Sequence, residues 1–345
     1  MEHLISIQSA LELPAPLFID LRSPAEFVEA HIPEALNIPL LDNEERAIIG
    51  TIYKEISPEK ATEEGLSIVA PRLPELYAKL KELSQNNDII LYCWRGGMRS
   101  KALCQILSVM GIKHYRLEGG YKAFRHFVLE YFSQPFLQEI IVLDGLTGVG
   151  KTDMLEFLIR DNYPAVDLEG LACNKGSVFG HIGYSQAPTQ KQFEGLLFSI
   201  LYKVKHNPRI IVECESSRIG RISLPTSFFT AMENGRRILV YDSLENRVKR
   251  LVKTYTLKYT RDNDIELSKA LDHLRKRLGH IKVNYLLELL DKQEYNSIVK
   301  VLLEDYYDPL YRYPDEPSLN YELNLNAQDM AGSIDKLKSL LNLPG

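Results

Sequence analysis

No apolar run in this 345-residue chain is long enough to span a bilayer, which excludes a helical membrane anchor. The first residues, Met1-Glu-His-Leu-Ile5, lack a basic segment followed by an apolar one. A secretory signal is therefore not expected, and a cytoplasmic location is. Cysteine is scarce: Cys93, Cys104, Cys173 and Cys214 stand singly, without a CxxC pair. That spacing excludes the common structural zinc patterns, and no metal site is expected among them. In a reducing compartment free thiols are the default, so each cysteine is either core filler or a reactive thiol. Internal repeats and low-complexity tracts are absent, which excludes solenoids and arrays. Excess positive charge is absent too. Lys and Arg number 41 against 46 Asp and Glu, a net charge of −5. The total argues weakly against a nucleic-acid partner, but local distribution matters more.

What is present is ordinary globular material, with 45% hydrophobic and 25% charged residues. The length exceeds what one core usually holds, so at least two domains are expected. In the first third, short apolar runs at 17–20, 35–38, 88–92 and 114–117 read as strands. Helical spacing appears at 24–30, at 71–84 and at 101–110, the last stopping at Gly111. The alternation predicts a mostly parallel sheet with helices on both faces. A boundary falls near Ser133-Gln-Pro135. The pattern restarts with a strand at 140–143, a glycine-rich turn and a helix over 150–160. Further strands are expected at 165–167, 209–213 and 237–241. Residues 244–303 read as mainly helical, and the tail carries turn signals at Asp308-Pro309 and Tyr313-Pro314. The expected division is 1–133, a P-loop core over 134–243, and a mainly helical extension over 244–345.

The strand at 88–92 runs directly into Cys93-Trp-Arg-Gly-Gly-Met-Arg-Ser100, and a helix follows. In a strand–loop–helix unit the loop amides point at the positive end of the helix and form an anion-binding nest. Arg95 and Arg99 add positive charge, and Gly96 and Gly97 let the backbone curl. Cys93 is then a candidate nucleophile facing an anion cradle of Arg95, Gly96, Gly97, Met98 and Arg99. A lone cysteine at a strand end would read as core filler. Two Arg and two Gly in the next six residues set this one apart.

The second loop, Gly145-Leu-Thr-Gly-Val-Gly-Lys-Thr152, matches GxxxxGK[ST] in full, between an expected strand and an expected helix. Gly145, Gly148, Val149, Gly150 and Lys151 would hold a diphosphate or nucleotide. The Thr152 hydroxyl would sit on Mg2+ where one is bound. A companion acid should end a nearby apolar strand. Glu213 and Asp242 both qualify, and both also read as ordinary strand-end carboxylates. Binding of a polyphosphate is better supported than its hydrolysis.

Residues 247–282 hold 11 Lys and Arg against 4 Asp and Glu, a basic stretch in an acidic chain. Arg247, Lys249, Arg250 and Lys253 form one cluster; Arg275, Lys276, Arg277, His280 and Lys282 form another. Tyr255, Tyr259 and Tyr285 are interleaved and suit stacking on unpaired bases. The plain alternative is a solvated helical face paired with acids. Too few acids lie nearby for that, so phosphate contact by Arg247, Arg250, Lys253, Arg275, Lys276 and Arg277 is the expectation.

Asp20-Leu-Arg-Ser-Pro-Ala-Glu26, His31-Ile-Pro-Glu-Ala-Leu-Asn-Ile-Pro39, the Cys93 loop and Leu117-Glu-Gly-Gly-Tyr121 occur in the order of a rhodanese domain. Residues 5–130 resemble that family, with His31 and Pro33 read as structural. Arg99 follows Cys93 by six positions, one more than in common single-domain rhodaneses. The loop thus resembles the wider Cys-x5-Arg cradle of rhodanese-fold phosphatases. With the P-loop domain behind it, the whole chain resembles the bacterial tRNA 2-selenouridine synthases. Further segments carry that resemblance: Asp167-Leu-Glu-Gly-Leu-Ala172, Gly176-Ser-Val-Phe-Gly180, Pro188-Thr-Gln-Lys-Gln-Phe-Glu194 and Val212-Glu-Cys-Glu-Ser-Ser-Arg-Ile-Gly220. One departure is Cys173-Asn-Lys175, where the family tends to carry Asn-His-Arg; Cys173 reads as an inert small side chain.

The resemblance implies a rhodanese-like α/β domain followed by a P-loop NTPase-like α/β domain. It implies a transferase acting on the anticodon region of tRNA. Wobble 2-thiouridine would become 2-selenouridine, with selenophosphate and geranyl diphosphate as substrates and no tightly bound cofactor. A selenophosphate-supplying enzyme is the partner such chemistry calls for. The alternative from the Cys-x5-Arg loop is a sulfurtransferase or phosphatase with a nucleotide-binding regulatory domain.

Overall fold

The computed structural model describes residues 3–174, 187–256 and 262–342. The chain divides into two compact units, Met1–Ser133 with Glu194–Ser199, and Gln134–Phe193 with Ile200–Gly345.

In the first unit five parallel strands are ordered β1-β5-β4-β2-β3. They are β1 (Leu4–Ile5), β2 (Pro16–Asp20), β3 (Leu36–Asn37), β4 (Asp88–Tyr92) and β5 (Tyr115–Leu117). β4 is central, and Ile89, Ile90, Leu91 and Tyr92 are fully buried. A strand covered on both faces reads as a continuous apolar run, which is why 88–92 is legible without alternation. One face packs Ile19, Leu80, Ile89, Leu91, Leu103 and Leu107 into a core. Helices Asn43–Glu55 and Pro58–Val69 fill a stretch in which apolar spacing is weak. Only Ala61 of the second is buried, so little periodic signal is written there.

The second unit has its own parallel sheet, ordered β12-β11-β6-β8-β7. Its strands are β6 (Glu139–Asp144), β7 (Ala165–Val166), β8 (Arg209–Glu213), β11 (Arg236–Tyr241) and β12 (Asn324–Asn326). A two-stranded antiparallel ribbon, β9 (Arg218–Ile219) with β10 (Ile222–Ser223), follows β8. From β6 the chain builds out to β7 and β8 on one side and to β11 and β12 on the other. β6 is therefore the switch point, and a ligand crevice is expected beyond its carboxyl end. The edge strand β12 comes from the tail, where only turn signals are visible in the sequence. Helix Met330–Asn342 follows it and puts Ile334, Leu337 and Leu341 into the core with Ile141, Leu155 and Val240. Helices between 244 and 302 form a separate small core of Leu271, Val283, Leu286, Leu290, Ile298 and Leu302. Among the described residues no helix is long and apolar enough to cross a membrane.

Candidate functional site

β4 delivers Cys93 to the carboxyl edge of the first sheet, and helix Met98–Val109 starts after Gly97. The loop between them is clamped by a second glycine turn. Tyr121 N–H donates to the Cys93 carbonyl at 2.9 Å and Lys122 N–H to the Trp94 carbonyl at 3.0 Å. Gly96 and Gly120 both take positive φ, +64° and +58°. A Cβ on Gly120 would run into the Cys93 carbonyl and the Gly96 amide. Arg116 donates to the Gly96 carbonyl from β5. The Cys93 thiol is buried, with Sγ 3.3 Å from Ser100 Oγ.

The loop cations are placed differently. Arg95 is exposed. Arg99 donates to Glu26 at 2.8 Å, so its guanidinium is already engaged. Burial opposes the charge on Glu26, but the hydrogen bond and charge of Arg99 prevail and hold its carboxyl below the usual range. Gly97 caps the helix and Met98 is exposed at its start. Behind the loop, buried Arg22 pairs with buried Asp20 at 2.6 Å and lies over the Tyr121 ring at 4.3 Å. Removing one partner of such a buried pair costs about 3–5 kcal/mol. His31 stacks on Phe27 with centroids 3.9 Å apart, and its Nδ1 lies 2.9 Å from the Phe27 carbonyl. Burial pushes its imidazole pKa down.

In the second unit β6 ends at Asp144, and the loop turns through Gly145, Gly148 and Gly150 at φ +146°, +79° and +98°. Gly145 passes against the Val240 carbonyl so closely that no Cβ fits. Val149 is buried, and Lys151 and Thr152 open helix Lys151–Arg160. Lys151 Nζ turns back to the Gly145 carbonyl at 2.7 Å and the Leu146 carbonyl at 3.2 Å.

Two arginines from helix Leu244–Thr256 hold this loop from behind. Arg247 Nε donates to the Thr147 carbonyl at 2.9 Å, and Arg250 Nη1 to the Gly148 carbonyl at 2.6 Å. Arg247 is 2% exposed and pairs with Asp308. Arg250 bridges Asp242 at 2.9 Å and Asp153 at 3.0 Å. These two side chains, grouped by sequence with the phosphate-contacting surface, are instead structural supports of the P-loop. Local charge density cannot show which face of a helix is buried.

The same contacts separate the two candidate acids. Asp242 accepts from Ser243 N–H at 2.8 Å, from Asn246 Nδ2 at 2.9 Å and from Arg250. It is an anchor. Glu213 is 1% exposed; Oε1 accepts from Glu169 N–H at 2.9 Å, and Oε2 has no hydrogen-bond partner among the described residues. Asp167, Glu169 and Glu215 surround it. Burial, then the charges of Asp167 and Glu169, hold its carboxyl far above the usual range. Burial, then Glu215, pushes Glu169 up to about 8, while the Lys151 charge pulls the other way. Burial also raises Glu215. Glu169 and Glu215 were not singled out from sequence. Their available signal was Asp167-x-Glu169 and Glu213-x-Glu215 at the ends of neighbouring strands β7 and β8. Cys173 caps helix Leu168–Ala172 in the left-handed region, and burial pushes its thiol up. Among the described residues no group of three or more His, Cys, Asp or Glu is arranged to hold a metal ion.

The remaining basic residues are nearer the surface. Lys253, Lys276 and Arg277 are exposed, and Arg275 is half-buried, donating to Asp272 and Asn284 at 2.7 Å each. Lys282 pairs with Asp305 at 2.8 Å. Tyr285 is half-exposed. Tyr259, Lys175 and Gly176–Gly180 lie outside the described residues, as does the side chain of Tyr255.

Comparison with known proteins covers both units. Residues 6–126 match the model of the rhodanese-like domain, and residues 138–329 that of the tRNA 2-selenouridine synthase AAA domain. The chain is 34% identical over 352 residues to a tRNA 2-selenouridine synthase of Hydrogenovibrio crunogenus, covering 94% of each chain. It is 35% identical over 324 residues to the Shewanella halifaxensis protein of that name, covering 86% of this chain and 87% of that one. A crystal structure of the N-terminal domain of a putative ATP/GTP binding protein from Clostridium difficile 630 is also similar. It shares 43% identity over 36% of this chain and 98% of its own, with a TM-score of 0.36.

Proposed function

The chain belongs to the tRNA 2-selenouridine synthase family, and from that premise we propose that it replaces the sulfur of a wobble 2-thiouridine in tRNA with selenium, through an S-geranylated intermediate. The carrying observation is that the family match spans both units while the Cys93 loop and the P-loop are each intact. tRNA is the substrate, and the reaction class is group transfer.

In this reading the P-loop takes the diphosphate of geranyl diphosphate. The thiouridine sulfur attacks the first geranyl carbon, the C–O bond breaks, and its electron pair leaves on diphosphate. Amides of Gly148, Val149 and Gly150 and the Lys151 ammonium receive that charge. Thr152, at the start of its helix, suits a Mg2+ that keeps most of its ligands on water and phosphate. The N3 proton of the base departs as the S–C bond forms. Sulfur at C2 is a poor leaving group; once alkylated it departs as geranyl thiol when selenium adds at C2. Arg95, Arg99 and the 93–99 loop amides bind selenophosphate, with Arg99 exchanging Glu26 for the anion. Selenophosphate selenium is already at the selenide level, so it adds at C2 with no change of oxidation state as geranyl thiol leaves, and water takes its phosphoryl group as phosphate; Cys93 assists that delivery. Lys253 and Arg275–Arg277 contact tRNA phosphates.

Nucleoside mass spectrometry after incubation with 2-thiouridine tRNA, geranyl diphosphate and selenophosphate tests this reading. A geranylated and then a selenated uridine, each dependent on its own donor, is expected. Unmodified tRNA with verified donors would sink it and bring the sulfurtransferase or phosphatase alternative forward.

A further inference from the structure

Helix Asp308–Tyr311 ends at Arg312, which sits in the left-handed region at φ +55°. That conformation is disfavoured for a side chain with a Cβ, and such strain clusters at ligand sites. Here it falls between two tyrosines. The Tyr311 and Tyr313 rings end up nearly parallel, 11° apart with centroids 6.4 Å apart. Tyr313 is fixed: its hydroxyl lies 3.0 Å from Cys214 Sγ, between Glu213 and Glu215 in sequence. Tyr311 is half-exposed. Arg312 is exposed beside it.

The surroundings place this pair at the P-loop crevice. Burial first, and then the charges of Glu215 and Glu169, raise the pKa of the Tyr311 hydroxyl, and the Tyr313 hydroxyl against Cys214 ties the pair to the end of β8. Glu169 and Glu215 share a side-chain hydrogen bond, and Lys151 acts on both. Among the described residues the buried Glu213 Oε2 beside them has no hydrogen-bond partner, which leaves a place for a polar ligand group.

We propose that Tyr311-Arg312-Tyr313 is the platform for the target uracil, with the base stacked on Tyr311, a flanking phosphate on Arg312, and the N3–H edge turned toward Glu169 and Glu215. This rests on the tRNA-modifying reading above and locates its substrate base. Single-stranded RNA is held by aromatic faces and arginine, with hydrogen bonds to base edges. A uracil offers one N–H donor on the edge that carries the reacting C2 substituent. The pair offers acceptor oxygens; with Glu169 holding its own proton, Glu215 is the carboxyl that receives the departing N3 proton as sulfur is alkylated. An isoprenoid tail has no donor for these acids.

The test uses the full chain and Tyr311→Ala, Tyr311→Phe and Arg312→Ala. Fluorescence anisotropy of a labelled anticodon stem-loop carrying 2-thiouridine reads binding without any donor. Geranyl transfer then reads kcat and KM. Tyr311→Ala is expected to weaken stem-loop binding by about 5–100-fold, as loss of one stacked base does. Its KM for geranyl diphosphate should stay at the wild-type value. Tyr311→Phe should bind as wild type does, and Arg312→Ala should reduce the log–log salt slope by about one. Wild-type binding by Tyr311→Ala overturns the platform. A wild-type chain that binds the stem-loop through Tyr311 but transfers no geranyl group sinks the geranylation reading and leaves the platform standing.

Discussion

The Cys93 loop and the P-loop share one plan: a central parallel strand, a glycine turn and a helix start. They share one device, an arginine on a loop carbonyl (Arg116 on Gly96 in the first, Arg247 and Arg250 in the second), and differ in what dominates. The Cys93 loop is fastened by backbone, through the Tyr121 and Lys122 amides and the close passage of Gly120. The P-loop is fastened by charge, through buried Arg247 and half-buried Arg250 on its carbonyls. The first should therefore fail when volume is added, the second when charge is removed. The cations proposed to meet their ligands differ as well. Arg99 is paired with an acid, whereas Lys151 rests on the carbonyls of its own loop.

The largest expected effect separates the two chemically. Cys93→Ser should cut selenium incorporation by on the order of a thousandfold or more while geranyl transfer stays within about twofold. Equal loss of both products, read by nucleoside mass spectrometry, would erase the division of labour. Next, Lys151→Ala should lower geranyl transfer by about 100- to 1,000-fold. Stem-loop binding should not change; a parallel loss of binding would mean that Lys151 meets RNA.

Gly120→Ala sharpens the contrast in support. At φ +58°, against the Cys93 carbonyl, it should cost about 3 kcal/mol in thermal or urea unfolding of the first unit. A neutral outcome would show that the two glycine turns are free to part. Neutralising Arg275, Lys276 and Arg277 together should weaken tRNA binding about tenfold at physiological salt and flatten its salt dependence. Unchanged affinity would remove this surface from the tRNA path.

The smallest effect concerns Glu169. Its carboxyl pKa is raised from 4.5 to about 8, so between those values the folded chain keeps a proton that the unfolded chain has released. Stability is then full below about pH 4.5 and declines as pH rises toward 8. Glu169→Gln should lessen the fall in unfolding midpoint between pH 5 and pH 8. A pH slope equal to the wild type's would place the retained proton elsewhere.

Local chemistry was legible in the sequence, and tertiary pairing was not. The two loops are readable because cysteine, lysine and their glycines are contiguous. β4 and β8 are readable because both faces are apolar. β12 is not: Asn324-Leu-Asn326 has a single buried residue and no β-branched side chain. The hold of Arg116 on Gly96 spans twenty residues, and that of Arg250 on Gly148 about a hundred, so no window of sequence contains either. Arg247 and Arg250 show the cost of counting charge alone. The same basic run supplies P-loop struts on one face and solvent-facing cations on another.

The late position of β12 and helix Met330–Asn342 also sets a schedule. On the ribosome, Gly145–Thr152 emerges long before the strand and helix that complete its sheet. Until then β11 stands as an open edge, the kind of surface on which nascent chains stick to one another. A message broken within that interval would yield a chain carrying the whole phosphate-binding motif on an unfinished scaffold. Such a product is material for chaperones and proteases, not a half-active enzyme loose among the cell's tRNAs.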